Sequence, residues 1–201
     1  MASSDQVRPL RADARENREK LLAAAVAAFA RSGVNVPLEA IAQEAGVGIG
    51  TLYRHFPTRD ALVLAAYENE VQHLCEAAGE LLAAMPPDAA LREWMNRFVG
   101  YVAAKRGMAD ALRSMISSNA LFTRTHDRMV SALSSLLRAA AENGSIRGDI
   151  DAEDVLRAMG GVWLVSGDEG WEEQAGRLLD LLIDGLRFRA LRKASPDRDE
   201  G

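Results

Sequence analysis

The stretch GVGIGTLYRHF, residues 46–56, carries three glycines and decides between two kinds of protein. Such a stretch either wraps a phosphate group or forms the turn between two DNA-binding helices. A P-loop needs a preceding strand and a lysine after its last glycine, and no lysine follows Gly50. A dinucleotide-binding loop needs a third glycine where Thr51 stands. The stretch therefore favours a helix-turn-helix.

The residues around the turn fit that interpretation on both sides. A short helix is predicted over 37–46, ended by Gly46, and a second one over 49–55, closed by Pro57. The inner stripe of the pair consists of apolar residues: Ile41, Ala42, Ala45, Val47, Leu52 and Phe56.

The outer side of the second helix carries the chemistry that suits DNA. Thr51, Arg54 and His55 stand at i, i+3 and i+4 and therefore share one side of that helix. Arginine can bond bidentately to guanine, and threonine can meet a base edge. Gly48 and Gly50 leave room for the helix to approach the floor of a major groove.

The rest of the chain predicts an all-α protein. Alanine, leucine, glutamate and arginine dominate, and only 5% of residues are aromatic. Asp13 and Glu16 can form a capping box at the start of the first helix, and Thr58 is a candidate N-cap for the fourth. Residues 1–10 are expected to be a mobile polar arm. The nine predicted helices cover about 13–32, 37–46, 49–55, 59–84, 88–105, 108–117, 119–142, 152–167 and 171–192.

Charge and cysteine content limit the partners and the compartment. The net charge is −5, yet residues 1–60 hold eight Lys or Arg against seven Asp or Glu. Only this first part can comfortably approach an anion. The apolar run at 21–30 is too short to cross a bilayer, and the single cysteine, Cys75, reads as a small buried apolar residue. We expect a cytoplasmic protein without a membrane partner.

The longer segment GVGIGTLYRHFPTRDAL, residues 46–62, resembles the recognition helix and following residues of the tetracycline-repressor-like (TetR) transcriptional regulators. The resemblance extends over about residues 13–66. It implies a helix-turn-helix DNA-binding domain at 11–65 and a helical effector-binding and dimerisation domain at 66–192. It also implies phosphate contacts from Tyr53 and Arg59, and base or groove contacts from Thr51, Arg54 and His55.

This chain departs from the family pattern at three positions. Pro37 replaces a frequent serine or threonine that caps the second helix, Gly48 replaces a frequent serine, and Ile49 replaces a frequent lysine. Two common polar contacts of the recognition helix are therefore missing. Arg11 and Arg15 are candidates to compensate with phosphate contacts, although a solvated run of charges explains them equally well.

The larger domain offers no catalytic or metal-binding signature, and no cofactor is expected. The three histidines of the whole chain, at 55, 73 and 126, are too scattered to form a set. A group of apolar and aromatic residues with interspersed polar ones is a candidate pocket for an apolar or amphipathic effector, and ordinary core packing is the alternative for each. The group comprises Trp94, Phe98, Tyr101, Met108, Arg113, Met115, Ser117, Phe122 and Trp163.

The expected function is that of a homodimeric regulator, usually a repressor, released from a palindromic operator by a small-molecule effector. The last two helices carry more apolar surface than one buried face needs, which predicts a dimer interface. Its candidate residues are Val155, Met159, Gly160, Leu178, Leu179, Leu182 and Leu186. The alternative is a helical ligand-binding protein or enzyme with a vestigial DNA-binding module. An architectural DNA protein is disfavoured, because such proteins rely on broad cationic surfaces.

Overall fold

The computed structural model describes residues 7–115, 120–161 and 170–188, and within these ranges it contains nine helices and no strand. The all-α prediction is confirmed. None of the helices in these ranges has both the length and the apolar character needed to cross a membrane. The helices are α1 Val7–Ser32, α2 Leu38–Glu44, α3 Ile49–His55, α4 Arg59–Ala84, α5 Pro87–Gly107, α6 Ala109–Met115, α7 Ala120–Glu142, α8 Ala152–Gly160 and α9 Trp171–Arg187.

The first helix begins earlier than predicted. It starts at Val7 and not at 13, so Asp13 lies inside the helix and the proposed capping box is wrong. Residues 7–10, expected in the mobile arm, are helical as well. Pro9 fits there because the first turn of a helix has no intrahelical partner for its N–H groups. The end of α1 is as predicted: Gly33 has φ of 71° and its N–H donates to the carbonyl of Phe29 at 2.9 Å.

The predicted boundaries of the later helices are close to those observed. Helix α4 covers the predicted range, and the Thr58 hydroxyl accepts a hydrogen bond from the N–H of Ala61 at 3.1 Å, which confirms the N-cap. Helix α8 begins after Asp151, whose carboxylate accepts from the N–H of Glu153 at 2.7 Å. The predicted helices 152–167 and 171–192 end earlier in the structure, at Gly160 and Arg187, and residues 162–167 and 189–192 lie outside the described part.

The chain divides into two compact units. The first unit takes the described residues of Met1–Glu70 and Ala103–Ser118, and the second takes those of Val71–Val102 and Asn119–Gly201. The predicted domain boundary at 65/66 therefore falls inside α4, and the first unit also holds the end of α5 and α6. Its core consists of residues that are at most 3% exposed, among them Leu21, Leu22, Phe29, Ile41, Leu52, Phe56, Leu62, Tyr67, Met108 and Leu112.

Gly107, the last residue of α5, shows how closely this later segment packs on α1 within the first unit. A Cβ added to Gly107 would overlap the carbonyl oxygen of Phe29 and lie 2.9 Å from the Cα of Ala30. No larger residue fits there without a backbone shift. The sequence interpretation, which placed 66–192 in one domain, did not anticipate this contact.

Candidate nucleic-acid interface

The turn between α2 and α3 is built from backbone hydrogen bonds and one left-handed glycine. Gly46 has φ of 65°, and its N–H donates to the carbonyl of Gln43 at 3.0 Å. The N–H of Val47 then donates to the carbonyl of Ala42 at 2.9 Å. Because a residue with a Cβ is strained at such a φ, glycine is the natural residue at this corner. The predicted helix-turn-helix is confirmed.

Helix α3 is held to the first unit by one buried side and presents the other to solvent. Leu52 is fully buried and Phe56 is 3% exposed, whereas Tyr53 is 45% exposed. Arg54 is exposed, and Thr51 and His55 are half-buried. The predicted DNA-contacting residues of α3 therefore lie together on an accessible surface.

Two of these residues bond to each other. The Nη2 of Arg54 donates to the hydroxyl oxygen of Thr51 at 2.8 Å. This contact holds the guanidinium beside the threonine on the exposed side of α3. Because a restrained guanidinium loses less rotamer freedom on binding, the pair is partly organised for contact with a planar acceptor such as a guanine edge.

A further arginine lies at the end of α3, and the sequence analysis missed it. The guanidinium carbon of Arg18, on α1, lies 5.6 Å from the ring centroid of Phe56, a cation–π distance. The ring of Phe56 is also 6.1 Å from that of His55. No sequence signal singled out Arg18 among the charges of α1, because the contact depends on how α1 crosses α3.

The other two arginines predicted on α1 are less informative. Arg15 forms an ion pair with Glu19 at 3.5 Å, and both side chains are largely exposed. This arrangement fits the solvated-charge alternative. The side chain of Arg11 lies outside the part of the structure that is described.

Arg59, the first residue of α4, has partners that the sequence analysis did not anticipate. Its Nη1 donates to the carbonyl oxygens of Val34 and Val36, the latter at 2.6 Å. These carbonyls lie in the loop before Pro37, the residue that precedes α2 and offers it no side-chain cap. Arg59 thus ties the start of α4 to the α1–α2 loop. Its contact with a phosphate stays a prediction.

The predicted effector residues are divided between the two units. In the second unit, Phe98 of α5 lies between Trp94, at 6.3 Å between ring centroids, and Tyr101, at 5.6 Å. The indole N–H of Trp94 donates to the carbonyl of Leu74 at 2.7 Å, so this ring is anchored in its own core. Met108 is fully buried and belongs to the first unit.

The remaining effector candidates are described only in part. Arg113 is exposed and pairs with Asp110, and Phe122 is half-buried. Ser117 and Trp163 lie outside the described residues, as does the side chain of Met115. A shared effector site formed by the whole group stays a prediction.

The second unit contains a cavity that none of the predicted effector residues lines. It has a volume of about 360 Å³, within the size range of small-molecule sites. Arg147 at its edge pairs with Asp149 at 2.6 Å, and the N–H of Arg147 donates to the carbonyl of Leu186 at 2.9 Å. The lining comes from the end of α7 and the loop to α8: Ser134, Leu137, Arg138, Ala141, Glu142, Arg147, Gly148, Ile150 and Ala152.

Burial divides the predicted dimer residues into two groups. Four of them are at most 3% exposed in the single chain, so they form its own core and do not offer a surface to a partner: Val155, Met159, Leu179 and Leu186. Leu178 is 38% exposed, Leu182 is half-buried and Gly160 is exposed. Leu181, which was not predicted, is 69% exposed. The apolar surface of α9 is therefore centred on Leu178, Leu181 and Leu182.

We searched the described residues for groups of metal ligands and for a reactive cysteine. They contain no group of three or more His, Cys, Asp or Glu side chains able to hold a metal ion. Cys75 is half-buried, and burial raises the pKa of its thiol. A thiol of this kind is mostly protonated and a poor nucleophile at neutral pH.

A helix-turn-helix whose second helix carries accessible threonine, arginine and tyrosine side chains, in a chain that also holds a second helical unit, is typical of a DNA-binding regulator. Two family models match the chain: bacterial regulatory proteins of the tetR family over residues 21–66, and the C-terminal domain of SbtR-like transcriptional regulators over residues 86–188. The chain belongs to the TetR family of transcriptional regulators. TetR-family regulators are not enzymes, so the alternative of an enzyme with a vestigial DNA-binding module is excluded.

Solved structures and sequence relatives agree with this assignment. The chain is similar to the TetR transcriptional regulator SCO0520 from Streptomyces coelicolor, with 51% identity, a TM-score of 0.79, and coverage of 85% of this chain and 98% of the other. It is also similar to a TetR regulatory protein from Mycobacterium vanbaalenii, with 37% identity, a TM-score of 0.74, and coverage of 89% and 99%.

A third similarity covers a shorter part of the chain. An HTH-type transcriptional regulator of Staphylococcus aureus, strain USA300, is 44% identical over 63 residues, which are 31% of this chain. The chain spans about a third of the length of this relative, 34%.

Proposed function

We propose that this TetR-family regulator is a cytoplasmic, homodimeric repressor that binds a palindromic operator and is released by a small apolar or amphipathic effector. The observation that carries the proposal is the exposed side of α3, where Arg54 bonds to Thr51 beside Tyr53. These side chains match the contacts that a recognition helix makes in a major groove, with Thr51, Arg54 and His55 towards the bases and Tyr53 towards a phosphate.

A dimer follows from the small size of that surface. One seven-residue helix reads few base pairs, and paired half-sites about 34 Å apart, or a multiple of that, are how such modules gain affinity. The exposed Leu178 and Leu181 of α9 supply an apolar surface that a second copy would cover. A twofold pair of subunits also implies a palindromic operator.

Release requires that effector and DNA prefer different spacings of the two recognition helices. A coupling of about 1–3 kcal/mol between the two sites is sufficient, which corresponds to an affinity change of about 5–150-fold. We infer an apolar or amphipathic effector from the aromatic content of the predicted group, whose members Trp94, Phe98 and Tyr101 are buried side by side in the second unit.

The test begins with selection of duplex DNA from a random pool by the wild-type protein. Arg54→Ala should weaken binding to the selected operator by about 1–3 kcal/mol and relax the preference at one base position. Arg97→Ala is the matched control, because Arg97 is also an exposed helical arginine with a partner on its own helix, Glu93 at 3.5 Å. Equal losses for the two variants, or equal losses on selected and random DNA for Arg54→Ala, would refute the assignment of α3 as the base-reading helix.

A further inference from the structure

Large apolar side chains are exposed at only two places in the described part of the chain. One is α9 and its end, with Leu178, Leu181 and Phe188, and the other is α3, with Ile49 and Tyr53. Tyr53 carries a hydroxyl that suits a phosphate, and the leucines suit a second subunit. Ile49 is 36% exposed at the first position of α3 and has no role in the function proposed so far.

The two residues that flank Ile49 are glycines, and the fold of the chain accounts for only one of them. Gly48 has ordinary extended backbone, with φ of −66° and ψ of 142°, and Gly50 lies within α3. A Cβ added at either position would meet no atom within 4 Å. Gly48 is the N-cap of α3, where glycine is favoured over alanine. Inside α3 glycine is a weaker helix former than alanine, so neither helix propensity nor packing explains Gly50. The small size of Gly50 instead suits close approach by another molecule.

The position of Gly50 shows where that approach takes place. Successive residues of an α-helix are about 100° apart, so Gly50 lies nearly opposite the buried Leu52. It therefore occupies the middle of the exposed face. Around the helix, Ile49 lies on one side of Gly50, and the hydrogen-bonded pair of Thr51 and Arg54 lies on the other.

We infer that Ile49 reads a thymine in each operator half-site by contact with the C5-methyl group of the base. The inference rests on the proposed function, because it needs α3 in a major groove. An isoleucine side chain has neither a donor nor an acceptor, and the thymine methyl is the apolar group that base edges present in that groove. Arg54 on the opposite flank supplies hydrogen bonds to a neighbouring base pair.

The test replaces thymine by uracil, one position at a time and in both half-sites, in a labelled duplex of the selected operator. Uracil pairs as thymine does but lacks the methyl group. For the wild-type protein, the thymine-to-uracil replacement at one position should lower the affinity about fourfold per half-site, which corresponds to the loss of one buried methyl group. Fluorescence anisotropy gives the affinities.

Two variants make the test specific. Ile49→Ala should bind thymine and uracil operators with equal affinity at that position. Because Ile49 is only 36% exposed, the melting temperature of the variant is measured in parallel to separate loss of base reading from loss of folding. Arg54→Ala is the control, since it should bind more weakly yet keep the fourfold difference.

The outcomes separate this inference from the function on which it rests. A wild-type protein that binds its operator tightly but tolerates uracil everywhere would overturn the role of Ile49 alone. So would an Ile49→Ala variant that still distinguishes the two bases. A protein that selects no DNA sequence at all would overturn the proposed function, and the role of Ile49 with it.

Discussion

The Nη1 of Arg59 lies 2.6 Å from the carbonyl oxygen of Val36, and the same nitrogen also donates to the carbonyl of Val34. Both carbonyls belong to the loop that leads into α2, whereas Arg59 begins α4 directly after the recognition helix. The contact therefore holds the loop before α2 against the first residue after the α3–α4 turn, and so fixes the two ends of the helix-turn-helix relative to each other.

We expect Arg59→Ala to lower the melting temperature and to weaken binding to selected and random DNA alike. Loss of charge-assisted hydrogen bonds to a half-buried loop costs about 1.5–3 kcal/mol. The slope of affinity against salt should stay that of the wild type if positioning is the main role of Arg59. An unchanged melting temperature with a slope reduced by about one would instead show the phosphate contact that the family resemblance implies.

Gly50→Ala should separate stability from DNA binding. The variant should gain about 0.5–1 kcal/mol of stability, because the backbone of α3 is helical and the added methyl group meets no atom of the chain. Its operator affinity should nevertheless fall about tenfold or more, as expected for overpacking at a close contact. Thermal unfolding and anisotropy measure the two effects.

Gly79→Ala is the matched control for this variant. Gly79 is an exposed residue in the interior of α4, and a Cβ there also meets nothing within 4 Å. It should give a similar gain in stability with no loss of affinity. If both variants bind the operator as the wild type does, the middle of α3 does not approach DNA closely.

The link between α7 and α8 predicts a dependence of stability on pH. The Nε2 of His126 lies 2.7 Å from a carboxylate oxygen of Glu153, and this hydrogen bond lowers the pKa of Glu153 from its ordinary value of 4.5. Because the folded state binds the proton less readily than the unfolded state, the contribution is present above the ordinary pKa and is lost as the pH falls through the lowered one.

Glu153→Gln should therefore reduce the melting temperature most at neutral pH, and its difference from the wild type should shrink below about pH 4. Glu173→Gln is the control, because Glu173 is 86% exposed and its distance to Arg177 is 3.8 Å. Circular dichroism melts at several pH values measure both. A difference for Glu153→Gln that is the same from acid to neutral pH would contradict the role of the His126 contact.

The features that the sequence predicted are those that short segments determine. Gly33 and Gly46 end helices because both adopt positive φ, and Thr58 caps α4 with its own hydroxyl. These helix ends depend on neighbouring residues and not on distant parts of the chain. The start of α1 at Val7 was missed because Asp13 and Glu16 offered a plausible cap that the longer helix does not use.

Features that depend on the path of the whole chain were not predictable in this way. The carbonyl partners of Arg59 lie more than twenty residues away, and the contact of Gly107 with Phe29 joins segments that the sequence interpretation had assigned to different domains. Apolar periodicity identified the inner face of α8 and α9 correctly as apolar. It did not show that Val155 and Leu186 are covered by their own chain, because a buried stripe looks the same whichever subunit covers it.

The oligomeric state is tested best at the exposed leucines of α9. Leu178 and Leu181 are 38% and 69% exposed, so replacing both by lysine should leave the helical content of the single chain almost unchanged. The double variant should sediment as a monomer, because two charges would have to be buried in the interface. Its operator affinity should fall about a hundredfold or more, since the two half-sites would then bind independently. Glu173→Lys, on a different, polar face of the same helix, is the control and should stay dimeric, whereas Leu186→Lys should unfold the protein because Leu186 is only 3% exposed. A double variant that remains dimeric and binds the operator as tightly as the wild type would move the interface away from this face of α9.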